Sequence, residues 1–472
     1  MLIKSWLKGN SLLNSAIWYT VGTFILKGVN FFTIPIFTRL LSTEEYGVIT
    51  IYSTWSAIFA IIVGIGINST VGSARANLED DEYKEYLSST LFLGTISFAV
   101  VSVIVLVFRN QVSSIIGFGF NLVIILLFES FFTFVINFVT SVFTFDKNHK
   151  AYILSSVMVT IINVSISVLL ITSMSNDKYF GKICGSAISA IVVGLFLYIK
   201  IILRGRKLVS LKYWKFCLPI AIPLIFHNLS HLVLNQADKI MLQKMTTEAA
   251  VGIYGFTYTI GSLINTIQLA INSAWVPWYY DGLKLGDKEG IKEKSKIYIA
   301  VFTTMTILFI LGVPEVVKIF SKESYWTGIP LLPIIIIGYY FVFLYTFPAN
   351  YQFYIKETKF IAMATILSGL VNVIINAILI PLMGMYGAAL ATLIAYIVLF
   401  MIHYCIVKFK YKHRDFPFSY YLGGIGVVLL AALIFYVFID YFVIRWGLMI
   451  IIGLAWIKAG ISIYRQISSE KR

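Results

Sequence analysis

Thr20, Thr23, Lys27 and Asn30 are spaced three, four and three residues apart. That spacing sets them on one helical face, while Phe24, Ile25, Val29 and Phe31 cover most of the rest. A lysine in the middle of an apolar run costs about 2.5 to 3.5 kcal/mol in a bilayer, so it is expected to face protein or a wet cavity, where it would hold an anion. The competing reading is a Lys27 that snorkels or pairs structurally. Four further runs carry polar stripes. Glu129, Thr133, Asn137, Thr140 and Thr144 form one, and Ser156, Thr160, Asn163 and Ser167 the next. Asn228, His231, Asn235 and Asp238 form a third, and Thr257, Gly261, Asn265, Gln268 and Asn272 a fourth. Such stripes either bond helix to helix, at about 0.6 kcal/mol per contact, or line water.

The elements that carry these residues are membrane spans. The 472 residues are 59% hydrophobic and 12% charged, with a mean hydropathy of +0.87, more apolar surface than a soluble chain of this length can bury. Apolar runs of spanning length fall near 14–38, 46–69, 88–108, 116–144, 151–174, 182–203, 214–238, 250–276, 296–320, 328–354, 360–382, 385–407, 419–440 and 443–463. The fold class is therefore an all-α polytopic membrane protein of about 14 transmembrane helices. The net charge of +15 does not indicate nucleic acid, because the basic residues collect in short connections. With the N-terminus inside, about 27 Lys and Arg lie on the cytoplasmic side and about 9 on the other, with Lys27 left over. Both termini are expected in the cytoplasm, and no removable signal peptide is expected at MLIKSWLKGN. The acidic LEDDEYKEY after the second span does not change the orientation, since acidic residues contribute little to it.

The chain repeats itself. LSTEEYGVITIYST at 41–54 returns loosely as MTTEAAVGIYGFTY at 245–258, placing Gly47 opposite Gly252 at an offset of 205. Asn163, Ser167 and FGKICGSAISA at 180–190 return as Asn372, Asn376 and YGAALATLIAY at 386–396, each preceded by a basic hairpin. A repeat of six spans returns the chain to the same side, which predicts parallel lobes about an axis along the membrane normal. The expected division is an N-lobe over 1–203, a C-lobe over 204–407, and two further helices with a cytoplasmic tail over 408–472.

For the fifth and eleventh spans, with Asn163, Asn372 and Asn376, the reading is helix-to-helix bonding. For the first, fourth, seventh and eighth it is a cavity, with Thr23, Lys27, Asn30, Asn235, Asn265 and Gln268 as substrate contacts. Arg39 and Lys244, equivalent at offset 205, are either a second cationic station or interfacial anchors. Glu129 is either an ion-coupling group or a counter-ion. Asp238 is a second coupling candidate, although its neighbour Lys239 favours an interfacial place. Pro219, Pro223, Pro277 and Pro348 mark expected kinks or helix ends. Cys184, Cys217 and Cys405 have no disulfide or metal spacing, and His227, His231 and His403 are expected as packing residues, so no metal site is expected. No Gly-rich phosphate loop, nucleophile elbow or paired-carboxylate loop is found, and no enzyme is expected.

TRLLSTEEYG at 38–47, SYWTGIPLL at 324–332 and NVIINAILIPLMGMYGAALAT at 372–392, with the two six-helix halves, resemble the polysaccharide (oligosaccharide) flippases of the Wzx type. These belong to the multidrug/oligosaccharidyl-lipid/polysaccharide exporter superfamily. The resemblance covers about 3–407. It implies a V-shaped two-lobe transporter of the bacterial cytoplasmic membrane. Such a transporter would move an undecaprenyl-diphosphate-linked oligosaccharide to the outer leaflet by alternating access, driven by H+ or Na+ and without a cofactor. It would work beside a polysaccharide polymerase and chain-length machinery. Many such flippases have twelve spans; the two extra helices are similar to those of the lipid II flippase branch and would offer the isoprenoid tail a groove. A cation-coupled multidrug exporter is the first alternative, disfavoured by the cationic first span. A membrane glycosyl polymerase or ligase is the second, disfavoured by the lack of a large external loop.

Overall fold

A computed structural model describes residues 33–413 and 416–470. Lys27, Thr23 and Asn30 lie outside them. After helical residues 33–40, the elements are α1 (Thr43–Gly64), a 3-10 turn (Ile67–Thr70), α2 (Val71–Asn77), α3 (Asp80–Val107), α4 (Arg109–Ile116) and α5 (Phe120–Phe145). There follow α6 (His149–Ser173), α7 (Lys178–Gly205), α8 (Leu211–Met245), α9 (Glu248–Gly261), α10 (Leu263–Leu285) and α11 (Lys288–Phe320). A 3-10 stretch (Glu323–Leu331) then leads into α12 (Leu332–Tyr354), α13 (Thr358–Met383), α14 (Met385–Cys405), a π-helical turn (Ile406–Lys410), α15 (Phe418–Val437) and α16 (Phe442–Glu470). Among the described residues ten helices are long and apolar enough to cross a membrane, or eleven with α8, which bends by 45°.

Each expected span after the first meets a helix, with local departures. The bend of α8 falls between Ser230 and Leu232, about two turns beyond Pro223, while Pro219 and Pro223 lie inside the helix. The eighth span is in two pieces, because the ladder tightens at Ser262, where Asn265 N–H bonds the Ser262 carbonyl at 3.0 Å in a 3-10 closure. Pro277, expected beyond that span, lies inside α10.

The chain divides into two compact units, Met1–Gly252 and Ile253–Arg472. In the first, the LSTEEYG motif is a capping box. Ser42 Oγ accepts from Glu45 N–H at 3.2 Å, and Glu45 Oε2 accepts from Ser42 N–H at 2.9 Å. Glu45 Oε1 also accepts from Lys178 N–H at 2.7 Å, which joins the starts of α1 and α7 through one carboxylate placed at two helix N-termini. The core is aromatic and aliphatic, with Phe131, Phe134, Phe138, Tyr86 and Val63 buried together. Outward-facing Val100, Val103, Leu106 and Val107 on α3 are exposed, as a surface solvated by hydrocarbon requires.

In the second unit α11, α12, α10 and the turn before α15 share an aromatic core. Phe302 stacks on Phe343 with centroids 4.2 Å apart, and Trp275 stacks on Tyr279 at 5.7 Å. The C-terminal pair is fastened to α11 by Arg445, which is fully buried. Its guanidinium donates to both oxygens of Glu315, at 3.0 and 2.5 Å, and to the carbonyls of Leu311 and Phe438 at 2.6 and 3.1 Å. All but one of its N–H donors thus have acceptors, the condition for burying a guanidinium in apolar surroundings.

The repeat read from the sequence is present in the backbone of the two units. α5 ends with Lys147 at φ +55° and α12 with Lys356 at φ +62°, at an offset of 209. Asn148 N–H bonds the Phe143 carbonyl and Glu357 N–H the Gln352 carbonyl, at 2.8 and 2.9 Å, the 6→1 bond of a Schellman cap at the same offset. The next hairpins match too. A Cβ on Gly181 would meet Leu170 and Ile171, and one on Gly387 would meet Leu379 and Ile380. Both glycines let α7 and α14 approach the backbone of the preceding helix; a Cβ would be tight at Gly181, with Ile171 N at 3.0 Å, and at Gly387 would clash with the Leu379 carbonyl oxygen.

Candidate functional site

Glu129 sits in the middle of α5, only 6% exposed. Its two carboxyl oxygens are taken by different helices: Tyr52 of α1 donates its hydroxyl to Oε2 at 2.7 Å, and Ser186 of α7 donates to Oε1 at 2.6 Å. One turn before Ser186 on the same face of α7 lies Lys182. Its ammonium donates to Asn163 Oδ1 of α6 at 2.7 Å and stands 4.4 Å from the ring centroid of Phe37, a cation–π contact. Ser167 donates to the same Asn163 oxygen at 3.0 Å. The first unit therefore holds a carboxyl, an ammonium, three hydroxyls and an amide along adjoining helices. Such a set can exchange a proton, or trade the bound lysine for a free cation, without exposing a bare charge to hydrocarbon.

The fourth-span stripe is only partly functional in geometry. Glu129 faces α1 and α7, whereas Thr140 and Thr144 return their hydroxyls to their own helix carbonyls, a local pattern that needs no ligand. Asn163 bridges α6 to α7, and in the second unit Asn372 donates to Thr392 at 3.2 Å and Asn376 to Asn372 at 2.9 Å. Asn163 and Asn372 therefore bond helix to helix, as read from the sequence, whereas the bond from Asn376 runs along its own helix, α13, to Asn372. Lys182, Tyr52 and Ser186 were not singled out in the sequence, though a signal existed. Lys182 occurs where the repeat carries the apolar Ala388, at the offset of 206 that also pairs Gly181 with Gly387 and Ser186 with Thr392.

Arg39 and Lys244 are exposed. Asp238 is 1% exposed, and its Oδ1 accepts the N–H of Lys239 at 2.8 Å while Lys239 Nζ donates to Gln236 at 2.7 Å. Asn235 is partly buried one turn earlier. In the second unit Asn265 is partly buried and Gln268 is 1% exposed. Gln268 Nε2 has no hydrogen-bond partner among the described residues, a costly state for a buried amide. One turn further along α10, Asn272 accepts from Asn350 of α12 at 3.1 Å. His403 Nδ1 lies 3.0 Å from Gln352 Oε1, which supports its reading as a packing residue. Among the described residues no cluster of three metal-ligating side chains forms.

Polar side chains bonded between the helices of a doubled fold, whose described residues hold ten or eleven spans, define a polytopic membrane protein. The chain belongs to the polysaccharide biosynthesis protein family, whose model matches residues 12–282. Among relatives, an uncharacterized membrane protein of Haemophilus influenzae is 25% identical over 376 residues, 76% of this chain and 88% of that one. The Lsg locus putative protein 1 of the same organism is 24% identical over 77% of this chain and 90% of its own length. An uncharacterized membrane protein of Methanocaldococcus jannaschii is 26% identical over 85% and 99%. Among solved structures, the inward closed conformation of the lipid II flippase MurJ superposes at TM-score 0.75 and 16% identity, covering 96% of this chain and 99% of that chain. An inward-facing multidrug resistance MATE family transporter of the MOP superfamily superposes at 0.64 and 15% identity, covering 82% and 96%. The chain thus shares the fold of these two structures.

Proposed function

We propose that this chain is a flippase for a lipid-linked oligosaccharide, moving an undecaprenyl-diphosphate-borne repeat unit from the cytoplasmic to the outer leaflet of a bacterial cytoplasmic membrane by alternating access. The observation that carries this reading is the combination of a polysaccharide biosynthesis family chain with the fold of a lipid flippase over 96% of its length. The chemistry agrees with it. A sugar diphosphate needs hydroxyl and amide contacts for its sugars, supplied by Asn265, Gln268, Thr23, Asn30 and Asn235, and a cation for its diphosphate, supplied by Lys27 with Arg39 as a second station. Glu129, bonded to Tyr52 and Ser186, couples transport to H+ or Na+, with Asp238 as a second coupling group. The roles of a polymerase and chain-length machinery as partners follow from the same pathway, and the protein itself is a carrier with no catalytic step.

The test is the leaflet in which lipid-linked oligosaccharide accumulates when the gene is lost. Accumulation on the inner leaflet supports the proposal. Normal outer-leaflet display with lost drug resistance would instead make the protein a multidrug exporter, the reading favoured by the MATE likeness. Lys27→Ala should abolish translocation with normal membrane insertion and Lys27→Arg should retain part of it. Wild-type surface polysaccharide from Lys27→Ala would remove the diphosphate role.

A further inference from the structure

Each unit has a polar cavity where the ends of its helices gather, and the two cavities occupy equivalent places in the repeat. In the first unit a cavity of about 310 Å³ is lined by Arg75, Asp80, Tyr83, Lys84, Leu87, Asp146 and Arg204. In the second a cavity of about 550 Å³ is lined by Lys288, Lys292, Ile291, Lys412, His413, Tyr351 and Tyr354, with Gly282, Leu283 and Gly286. The correspondence follows from backbone landmarks. Asp80 and Lys288 each open their helix, and Tyr83 N–H bonds the Glu79 carbonyl as Ile291 N–H bonds that of Asp287. The offset is thus 208, which pairs Lys84 with Lys292. The shared Schellman caps pair Asp146 with Ile355. Arg204 comes from the last turn of α7 and Lys412 from the connection that follows α14.

The charge in the first cavity is settled internally. Arg75 pairs with Asp80 at 2.9 Å and with Asp146 at 3.2 Å, and its guanidinium lies 5.2 Å from the ring centroid of Tyr83. In the second cavity both counter-charges are gone, because Asp80 has become Lys288 and Asp146 has become Ile355. No carboxylate is among the described residues that line it. Glu289 pairs with Lys292 at 2.8 Å from an exposed position, its side chain 86% accessible, and such a pair gives up little to an incoming anion. One wall is rigid and flat, since His413 stacks on Tyr351 with ring centroids 3.8 Å apart and 16° between planes, and Tyr279 Oη lies 3.4 Å from His413 Nε2. Lys288 and Lys412 are exposed and Lys292, which pairs with Glu289, is half-buried, so the lining carries an excess of positive charge that attracts an anion.

We infer that this second-unit cavity is a binding site for a phosphate-type anion at the membrane surface, seated among Lys288, Lys292 and Lys412. The chemistry fits the headgroup of an anionic phospholipid and the diphosphate of an isoprenoid carrier alike. The inference does not rest on the flippase reading, because either source can be bound by a protein with another cargo.

The full chain, purified in detergent, is titrated with phosphatidylglycerol, phosphatidylcholine and undecaprenyl diphosphate, and bound lipid is counted by native mass spectrometry, with inorganic pyrophosphate as competitor. K288Q/K292Q/K412Q, with melting temperature as the check on folding, should bind the anionic lipids roughly a hundredfold more weakly, at about tenfold or less per lysine. K288R/K292R/K412R should bind as wild type. K288D/I355D, which copies the carboxylates of the first unit, should lose binding without disturbing the fold. Retention of both anionic lipids assigns the site to headgroups in general, and retention of undecaprenyl diphosphate alone assigns it to the carrier. Displacement by pyrophosphate supports either. Binding of phosphatidylcholine as strong as phosphatidylglycerol, or anionic lipid bound equally by the Gln variant, overturns the inference.

Discussion

Tyr52 and Glu129 are separated by 77 residues in the chain and by 2.7 Å in the fold, hydroxyl to carboxyl oxygen. The bond ties α1 to α5 inside a bundle with few polar contacts. With Ser186 it saturates a carboxyl that apolar surroundings would otherwise leave exposed to a heavy desolvation cost.

Glu129→Gln keeps the size of the side chain but removes the titrating oxygen. Transport by Glu129→Gln is expected to lose its dependence on external pH or Na+, measured as flipping rate in proteoliposomes. An unchanged profile would leave Glu129 a structural residue. Tyr52→Phe removes one hydrogen bond to the carboxyl, worth about 1.5 to 3 kcal/mol when that group is charged. Its melting temperature should fall even where transport survives.

Lys182→Ala makes the first repeat resemble the second, where Ala388 stands. The α6–α7 contact is then still held by Ser167 and Gly185, so the variant should insert normally. A fall in flipping of at least about tenfold is expected if the ammonium takes part, the loss of one charge-assisted contact of about 1.5 kcal/mol. Wild-type turnover would show that Lys182 serves only to bind Asn163.

Removing one partner of the Arg445–Glu315 pair leaves a buried charge, at a cost of about 3 to 5 kcal/mol. Arg445→Met and Glu315→Gln should each loosen α16 from α11, detectable as faster proteolysis of the C-terminal helix. The double variant Arg445→Met with Glu315→Met should recover much of that loss. Equal damage from single and double variants would argue that the hydrogen bonds to Leu311 and Phe438 matter more than the ion pair.

Asp146 lies just past the end of α5. Burial raises its carboxyl pKa above the usual carboxylate value, and Arg75 and Arg204 partly oppose that rise. A raised folded-state pKa means that the folded protein holds the proton more tightly than the unfolded chain. The resulting stabilisation is present at acid pH below the unfolded pKa and is lost as pH climbs through the folded value. Asp146→Asn should therefore flatten the stability–pH curve just above the ordinary carboxylate range, as read by thermal unfolding in detergent. A curve identical to wild type would show that the ion pair with Arg75 cancels the effect of burial.

Much of the fold was legible because a bilayer imposes simple rules. Runs of apolar residues must be helices of a fixed minimum length, and every span expected after the first meets one. The repeat was legible for the same reason, since Asn163 with Asn372 and Gly181 with Gly387 recur at steady offsets, and each glycine lets its helix approach the backbone of the preceding one. The break at Ser262 and the bend of α8 beyond Pro223 were not legible, because each depends on a local choice of hydrogen bonds that many residue types permit. Glu129 stood out as a charge in an apolar run, but its partners did not. Serine and tyrosine are common in such helices, and nothing along the chain says which of them meets a carboxyl 57 or 77 residues away.

The sequence by itself determined the membrane class, the order of the spans after the first and the doubling of the chain. These follow from hydropathy, charge and self-similarity, all properties summed along the chain. Only the tertiary structure decided that Lys182 binds Asn163, that Glu129 is shared by Tyr52 and Ser186, that Arg445 is buried against Glu315, and that one basic cavity keeps its carboxylates while its counterpart has lost them. Those facts depend on which helical faces meet, and a pairing between faces is set by packing in three dimensions.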